Sequence, residues 1–339
     1  MGDNIRPSTM YAWRKHKGNS EPSCQVWEEL PVPATPQDGF LIKLLASGVY
    51  QFTNSVTVMQ FVRFDRDVVI FRVIGWLYWQ FLDADLKAAQ SARVIYLSSA
   101  RQGCTMGLAK MDSTQNTQQS MLALRSHFLK VYPPAVAAVA TDAVTTVYHG
   151  ITRRAEVKNN ELVFLFGLGG LGFNALQIVR HIGARVIVSD VRQEKLDAAL
   201  SLGVPAGDIV PVGKSVQSFV QENGLQGKID TVLDIVGKHQ TFEDAQQIVR
   251  IGGKILCVGT LDRRNEIDMK IGIRKRLGII FTYGGQQRDL MEVLDLISQK
   301  VIQPQVELGR LSDFPKVLKD LGNGKIKDRM ALVTDLIDP

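Results

Sequence analysis

Leu162 to Phe166 is an unbroken apolar run that stops at Gly167-Leu168-Gly169-Gly170-Leu171-Gly172, and a helical pattern from Leu171 to His181 starts inside the same glycines. A continuous apolar run suits a parallel strand buried on both faces. Strand, glycines and helix in that order predict the opening of a βαβ unit built for a dinucleotide. Gly167 permits a tight turn, Gly169 lets backbone approach a pyrophosphate, and Gly172 lets the helix pack close to the strand. The helix start, with Gly170 and Leu171, offers unpaired N–H groups and a partial positive charge to phosphates. Asp190 ends the next apolar run, where a carboxylate accepts from ribose hydroxyls and repels a 2′-phosphate. That favours NAD(H) over NADP(H), although Arg192 lies close enough to pair with such a phosphate.

The chain after residue 132 keeps alternating between the two periods. Further strands are expected at Arg185–Ser189, Ile209–Val212, Ile229–Ile235, Lys254–Val258 and Gly278–Tyr283. Helices are expected over Glu194–Leu202 and Phe242–Val249. Six strands with crossover helices predict an α/β fold with a doubly wound parallel sheet, the Rossmann arrangement. Cys257 falls in an apolar strand and reads as a buried thiol. His181 reads as part of a helix end beside Gly183, and His239 as a helix start.

The rest of the chain is less regular. Residues 10–49 alternate like strands, with turn residues at Pro31, Pro33, Pro36 and Gly39. Residues 50–131 show neither period clearly, and Thr114 to Gln119 is a polar low-complexity stretch. With 45% hydrophobic and 22% charged residues, the composition is that of a globular chain. A net charge of +6 and one basic triplet, Arg274-Lys275-Arg276, make no nucleic-acid stripe. Val68 to Leu82 is apolar but contains Arg72, and it falls short of the roughly 20 residues a spanning helix needs. No membrane association is expected. Three scattered cysteines, Cys24, Cys104 and Cys257, imply no disulfide framework and fit a reducing, cytoplasmic setting.

Three segments carry a family resemblance: Tyr11-Ala-Trp-Arg-Lys-His-Lys-Gly-Asn19, Val26-Trp-Glu-Glu-Leu-Pro-Val-Pro33, and residues 134–335. They resemble the zinc-type alcohol dehydrogenases of the medium-chain dehydrogenase/reductase superfamily. The resemblance implies a GroES-like, β-rich catalytic domain over residues 10–146, incomplete or atypical at 50–131. It implies a Rossmann domain over 147–285 and a return to the catalytic domain over 286–339. Asp190 and Lys195 resemble the pair that grips the adenosine ribose. Thr146 resembles the threonine beside the nicotinamide. Val258 and Gly259 stand where the family contacts the nicotinamide ribose and ring, and Arg329 resembles an arginine that reaches the pyrophosphate. Asp142 stands where the family places its third catalytic zinc ligand. His149 reads as scaffold. A homodimer or homotetramer is the implied assembly.

The same resemblance exposes what is missing. The family's first zinc ligand is the cysteine of a Gly-Val-Cys-His segment; here the segment reads Gly48-Val49-Tyr50-Gln51. The second is the histidine of a Gly-His-Glu triplet, which this sequence does not contain. A catalytic zinc needs three protein ligands and an open position, so Asp142 would be a vestigial ligand and zinc is not expected to bind. One account is a zinc-free reductase branch. Another is a segment, residues 51 to 131, read out of frame. Codons TGC ACT ATG GGN for Cys104-Thr-Met-Gly, shifted, give His-Tyr-Gly. Continuing through Met111-Asp112 and Thr114 to Gln118 gives Asp-Gly and Ala-Glu-Tyr-Ala, which the family carries at this place. Ala89, Ala92 and Ala100 can each yield cysteine in that frame. An in-frame message encoding 50–131 as written would end this account.

The expected activity is hydride transfer between NAD and an alcohol or carbonyl substrate, impaired by the missing ligands. A zinc-independent NAD(P)H quinone or enoyl reductase, and a non-catalytic NAD-binding protein, are the alternatives.

Overall fold

The computed structural model describes residues 9–15, 25–31, 42–52, 55–64, 67–71, 133–326 and 328–333. The chain forms two compact units, one of residues 1–138 with 306–339 and one of residues 139–305.

The first unit is β-rich. Strands β1 (Thr9–Lys15) and β2 (Gln25–Pro31) pair antiparallel, with Trp13 opposite Trp27. Strands β3 (Ile42–Phe52), β4 (Ser55–Phe64) and β5 (Asp67–Phe71) form an antiparallel meander. The start of the 50–131 zone, which shows no clear period in sequence, is thus strand. Val56, Thr57, Val58, Val62, Val68, Val69 and Ile70 supply the β-branched residues that favour a pleated surface. Strand β12 (Arg329–Val333) pairs antiparallel with β3 and, on its other side, in parallel with the edge strand β11 (Val306–Arg310). The Phe314–Gly322 helix covers this sheet, burying Phe314, Val317 and Leu321 against Val49 and Leu332. Residues 72–132, with Cys104, the alanines at 89, 92 and 100, and the polar Thr114–Gln119 stretch, lie outside the described residues, as does Cys24.

The second unit is the α/β one. Its parallel sheet has β6 (Leu162–Phe166), β7 (Arg185–Ser189), β8 (Ile229–Asp234), β9 (Val249–Cys257) and β10 (Gly278–Phe281) in the order β10-β9-β8-β6-β7. The order reverses at β6, so the strand ends of β6 and β8 flank the crevice where ligands bind in such sheets. Phe164, Ile187, Val232 and Ile255 are fully shielded from solvent, and the Phe164 and Phe166 ring centroids lie 4.7 Å apart.

The expected third strand at Ile209–Val212 is a correction. The sheet has five strands, and that segment makes one parallel bridge, Val188 to Ile209. Val210 N donates to Val188 O at 2.9 Å, and the pairing stops there, where the chain turns at residues 211–214. Strand β9 starts at Val249, earlier than expected, and shifts register against β8 between Ile229 and Thr231. Gly253 allows this, because a Cβ there would meet Asp230 O at 2.9 Å. The unit runs on to Gln305, past the 285 read from the sequence, and includes the Gln287–Ser298 helix. Among the described residues, no helix is long and apolar enough to cross a membrane.

Candidate functional site: the glycine turn and its surroundings

The turn after β6 is shaped by three glycines with three different reasons. Gly167 has φ +86°, a left-handed conformation, and a Cβ there would meet Val236 Cγ2 at 2.7 Å. Gly172 opens the Gly172–Ile182 helix, and a Cβ on it would stand 1.8 Å from Gly167 O. Both are demanded by the fold. Gly169 is not: the nearest atom to its imagined Cβ is Arg192 Nη2, at 4.0 Å. The helix start is also left open. Its N-cap residue Leu171 makes no side-chain cap, whereas Ser215 and Asp268 cap the helices they precede, accepting from Ser218 N and Ile271 N.

Asp190 sits at the end of β7 and turns back to this loop. Its Oδ2 accepts from Leu168 N at 2.7 Å, and its Oδ1 accepts from Arg192 N at 2.9 Å and Arg192 Nε at 3.4 Å. Its side chain is 6% exposed. Lys195 is buried one turn further on, and its N–H donates to Arg192 O at 3.1 Å. Beside Asp190 opens a cavity of about 650 Å³, lined by Ser189, Val191, Pro211, Val212 and Lys214 among others.

At the ends of β8 and β9 two backbones touch. A Cβ on Gly237, whose φ is +70°, would meet Gly259 O at 2.1 Å, and one on Gly259 would meet Val236 C at 2.2 Å. Val258 N and Gly259 N both donate to Asp234 O, at 2.9 and 3.1 Å. The Asp234 carboxylate accepts from Gly237 N at 2.8 Å, Val236 N at 3.1 Å and Thr241 Oγ1 at 3.1 Å. Burial still pushes its carboxyl above the ordinary range, against those bonds. Burial likewise pushes the neighbouring Cys257 thiol up to about 12, with Asp234 adding to the effect. A thiol held so far from its thiolate is a poor nucleophile.

Asp142 and Thr146 lie on a helical segment of unusual geometry. Ala140–Val144 and Gly150–Arg154 are π-helical, and Thr145–His149 between them is α-helical. Such widened turns occur often at functional sites. Thr145 Oγ1 donates to Ala140 O at 2.7 Å, taking up one carbonyl of the wide turn. Thr146 Oγ1 donates to Asp142 Oδ1 at 3.0 Å, and both residues are buried.

The sequence reading missed the part that joins these pieces. Asn174 Nδ2 donates to Gly170 O at 2.8 Å and Ala143 O at 3.3 Å, linking the glycine turn to the Asp142 segment. Its signal was an amide in the first turn of a helix that is otherwise apolar on its buried face. Gly237 and Asp234 were also missed. Arg329 lies in the other unit, at the first pair of β12 with β11.

The sequence pattern of a family described as zinc-binding dehydrogenase matches residues 170–299. The glycine turn in its strand–helix setting and the strand order agree with that match. Residues 170–299 resemble the zinc-binding dehydrogenases, the medium-chain, zinc-type alcohol dehydrogenase type. This is a family of oxidoreductases.

Solved structures of the superfamily's fold extend the likeness to nearly the whole chain. Acetophenone reductase from Geotrichum candidum, solved in complex with NAD, is 23% identical with a TM-score of 0.64, covering 97% of this chain and 98% of that one. A cinnamyl alcohol dehydrogenase from Sorghum bicolor is 14% identical with a TM-score of 0.65, covering 98% and 100%. The alcohol dehydrogenase of Aeropyrum pernix is 25% identical with a TM-score of 0.52, covering 58% and 57%.

Proposed function

We propose that this protein is an NAD(H)-dependent, alcohol dehydrogenase-like oxidoreductase, acting on an alcohol or carbonyl substrate. The observation that carries the reading is Gly169. Gly167 and Gly172 are required by packing, but the space over Gly169 is open, and the uncapped helix start lies beside it. That combination fits a diphosphate, which needs close backbone approach and free N–H groups. The zinc-binding dehydrogenase match over residues 170–299 and the NAD complex of the Geotrichum relative support the same cofactor.

On this reading Gly169, Gly170, Leu171 and Gly172 bind the pyrophosphate. Asp190 and Lys195 hold the adenosine ribose, and the cavity between Val191 and Lys214 receives the adenine. Asp190 selects against a 2′-phosphate, because a second negative group beside a nearly buried carboxylate is repelled. Val258 and Gly259 border the nicotinamide ribose. When bound, the cofactor supplies a hydride acceptor or donor; Thr146 orients its nicotinamide ring.

Zinc does not fit the residues present. The positions that would ligate it are Tyr50, a missing Gly-His-Glu triplet, and Asp142. Thr146 already donates to Asp142 Oδ1, and one carboxylate does not hold a catalytic zinc. We therefore assign Asp142 to orienting the Thr146 hydroxyl, and infer weak or no zinc-dependent turnover. Metal analysis of the purified protein tests this, together with an alcohol and carbonyl screen. Sub-stoichiometric zinc and activity indifferent to chelation are expected. One tightly held zinc per chain, with activity lost on chelation, would overturn it. Turnover of enones or quinones with NADPH, without metal, would move the assignment to the zinc-independent reductases.

A further inference from the structure

A buried network that the cofactor reading does not use sits on the far side of the Thr146 segment. Asp289, in the first turn of the Gln287–Ser298 helix, has a side chain with no exposure to solvent. Its Oδ2 lies 2.7 Å from His149 Nδ1 and accepts from Gln286 N at 2.8 Å; its Oδ1 accepts from Arg153 Nε at 3.1 Å. An ionised carboxylate only accepts, so His149 Nδ1 carries the proton. Arg153 Nη2 also donates to Glu292 Oε1 at 2.6 Å, and Tyr148 OH donates to Glu292 Oε2 at 2.6 Å. Ahead of the same helix, the chain presses on Thr145: a Cβ on Gly285 would stand 2.5 Å from Thr145 Cγ2 and 2.9 Å from Thr145 O.

These contacts bear on one turn of a longer helical run. Thr145–His149 lies between two π-turns in continuous helical backbone from Val139 to Arg154. Widened turns of this kind interrupt the regular i to i−4 ladder and recur at functional sites. One side of the segment is tied to the glycine turn through Asn174. The other is gripped at His149 and Arg153 by a single carboxylate, which also anchors the start of its own helix. A buried carboxylate is a poor source of net stability compared with apolar packing. Its advantage here is a fixed geometry with three partners at set directions.

We propose that Asp289 is a positioning residue for the nicotinamide end of the dinucleotide, acting through His149 and Arg153 on the helical segment that carries Thr146. The inference rests on the reading that the cofactor binds at the glycine turn. It separates from that reading because Asp289 acts on one half of the ligand only. Loss of the clamp lets Thr145–His149 shift, and small shifts of positioning groups weaken the contacts they support. The pyrophosphate and adenosine contacts, made by the Gly167–Gly172 turn and Asp190, stay in place.

The test is calorimetric titration of the full chain with NADH and, separately, with ADP-ribose, which lacks the nicotinamide. Asp289→Asn is expected to raise the Kd for NADH about fivefold to tenfold and to change that for ADP-ribose less than about twofold. His149→Gln removes one of the three partners and should give the same pattern at about twofold to threefold. If Asp289→Asn does not fold, by circular dichroism, His149→Gln decides alone. Equal weakening of both ligands, or no change in either, overturns the proposal. Failure of the wild type to bind ADP-ribose overturns the cofactor reading and this inference with it.

Discussion

The glycine turn after β6 and the helical segment Ala140–Arg154 lie side by side, yet they are held in opposite ways. The turn is fixed by backbone sterics within a dozen residues: Gly172 against Gly167 O, and Gly167 in a left-handed conformation. The helical segment is fixed by side chains from far along the chain, His149 and Arg153 on Asp289 and Tyr148 on Glu292. A turn of the first kind tolerates almost no change at its packing positions, Gly167 and Gly172. A segment of the second kind can shift when one partner is lost, which is what a site that admits ligand and substrate requires.

The largest effect that would sharpen this contrast is Gly172→Ala. Its methyl group cannot occupy the same space as a backbone oxygen 1.8 Å away, so the helix must leave the strand. A loss of about 3 kcal/mol or more is expected, read as a lower thermal midpoint; an unchanged midpoint would break the account of the turn. Gly169→Ala comes next and should do the reverse. The methyl enters open space, so stability changes by less than about 1 kcal/mol. NADH affinity should fall by about tenfold or more. Equal effects of the two variants would erase the distinction between a packing glycine and a ligand glycine.

The network gives a smaller, pH-dependent effect. Burial raises the Asp289 carboxyl, but the Gln286 N–H, Arg153 and His149 outweigh it and leave it below its ordinary value. A depressed acid contributes stability that is fully present above its unfolded value, about 3.9. That contribution is lost as pH falls through the lower folded value. Urea midpoints measured from pH 6 down to pH 3 should therefore fall less steeply in Asp289→Asn than in the wild type. Parallel profiles would show that the carboxylate is not held as described. The smallest effect is at Cys257, where a thiol pushed up to about 12 should resist alkylation at pH 8 in the folded protein. Peptide mapping after iodoacetamide treatment reads this directly, and prompt labelling would contradict it.

The same contrast explains what could be read in advance. The sheet, the packing of Gly167 and Gly172 and the place of Asp190 beside the turn follow from local pattern, because a tight turn and a doubly buried strand each demand particular residue types within a short window. The strand expected at Ile209–Val212 reduces to one bridge, because a four-residue run that ends in a turn cannot extend its pairing. The clamp was not legible. His149 and Asp289 are 140 positions apart, and neither has a sequence signal stronger than a polar residue on a helix. His149 read as scaffold, which matches its contacts but hides what it supports. Strands β4 and β5 were missed because their apolar residues do not keep strict alternation, Phe61 and Val62 being adjacent.

The most direct test of the central claim is a titration of the wild-type protein with NADH and NADPH under identical conditions. The account predicts saturable binding of NADH at least about tenfold tighter than that of NADPH, with the preference lost in Asp190→Ala. Folded protein that gives no heat with either dinucleotide would contradict it.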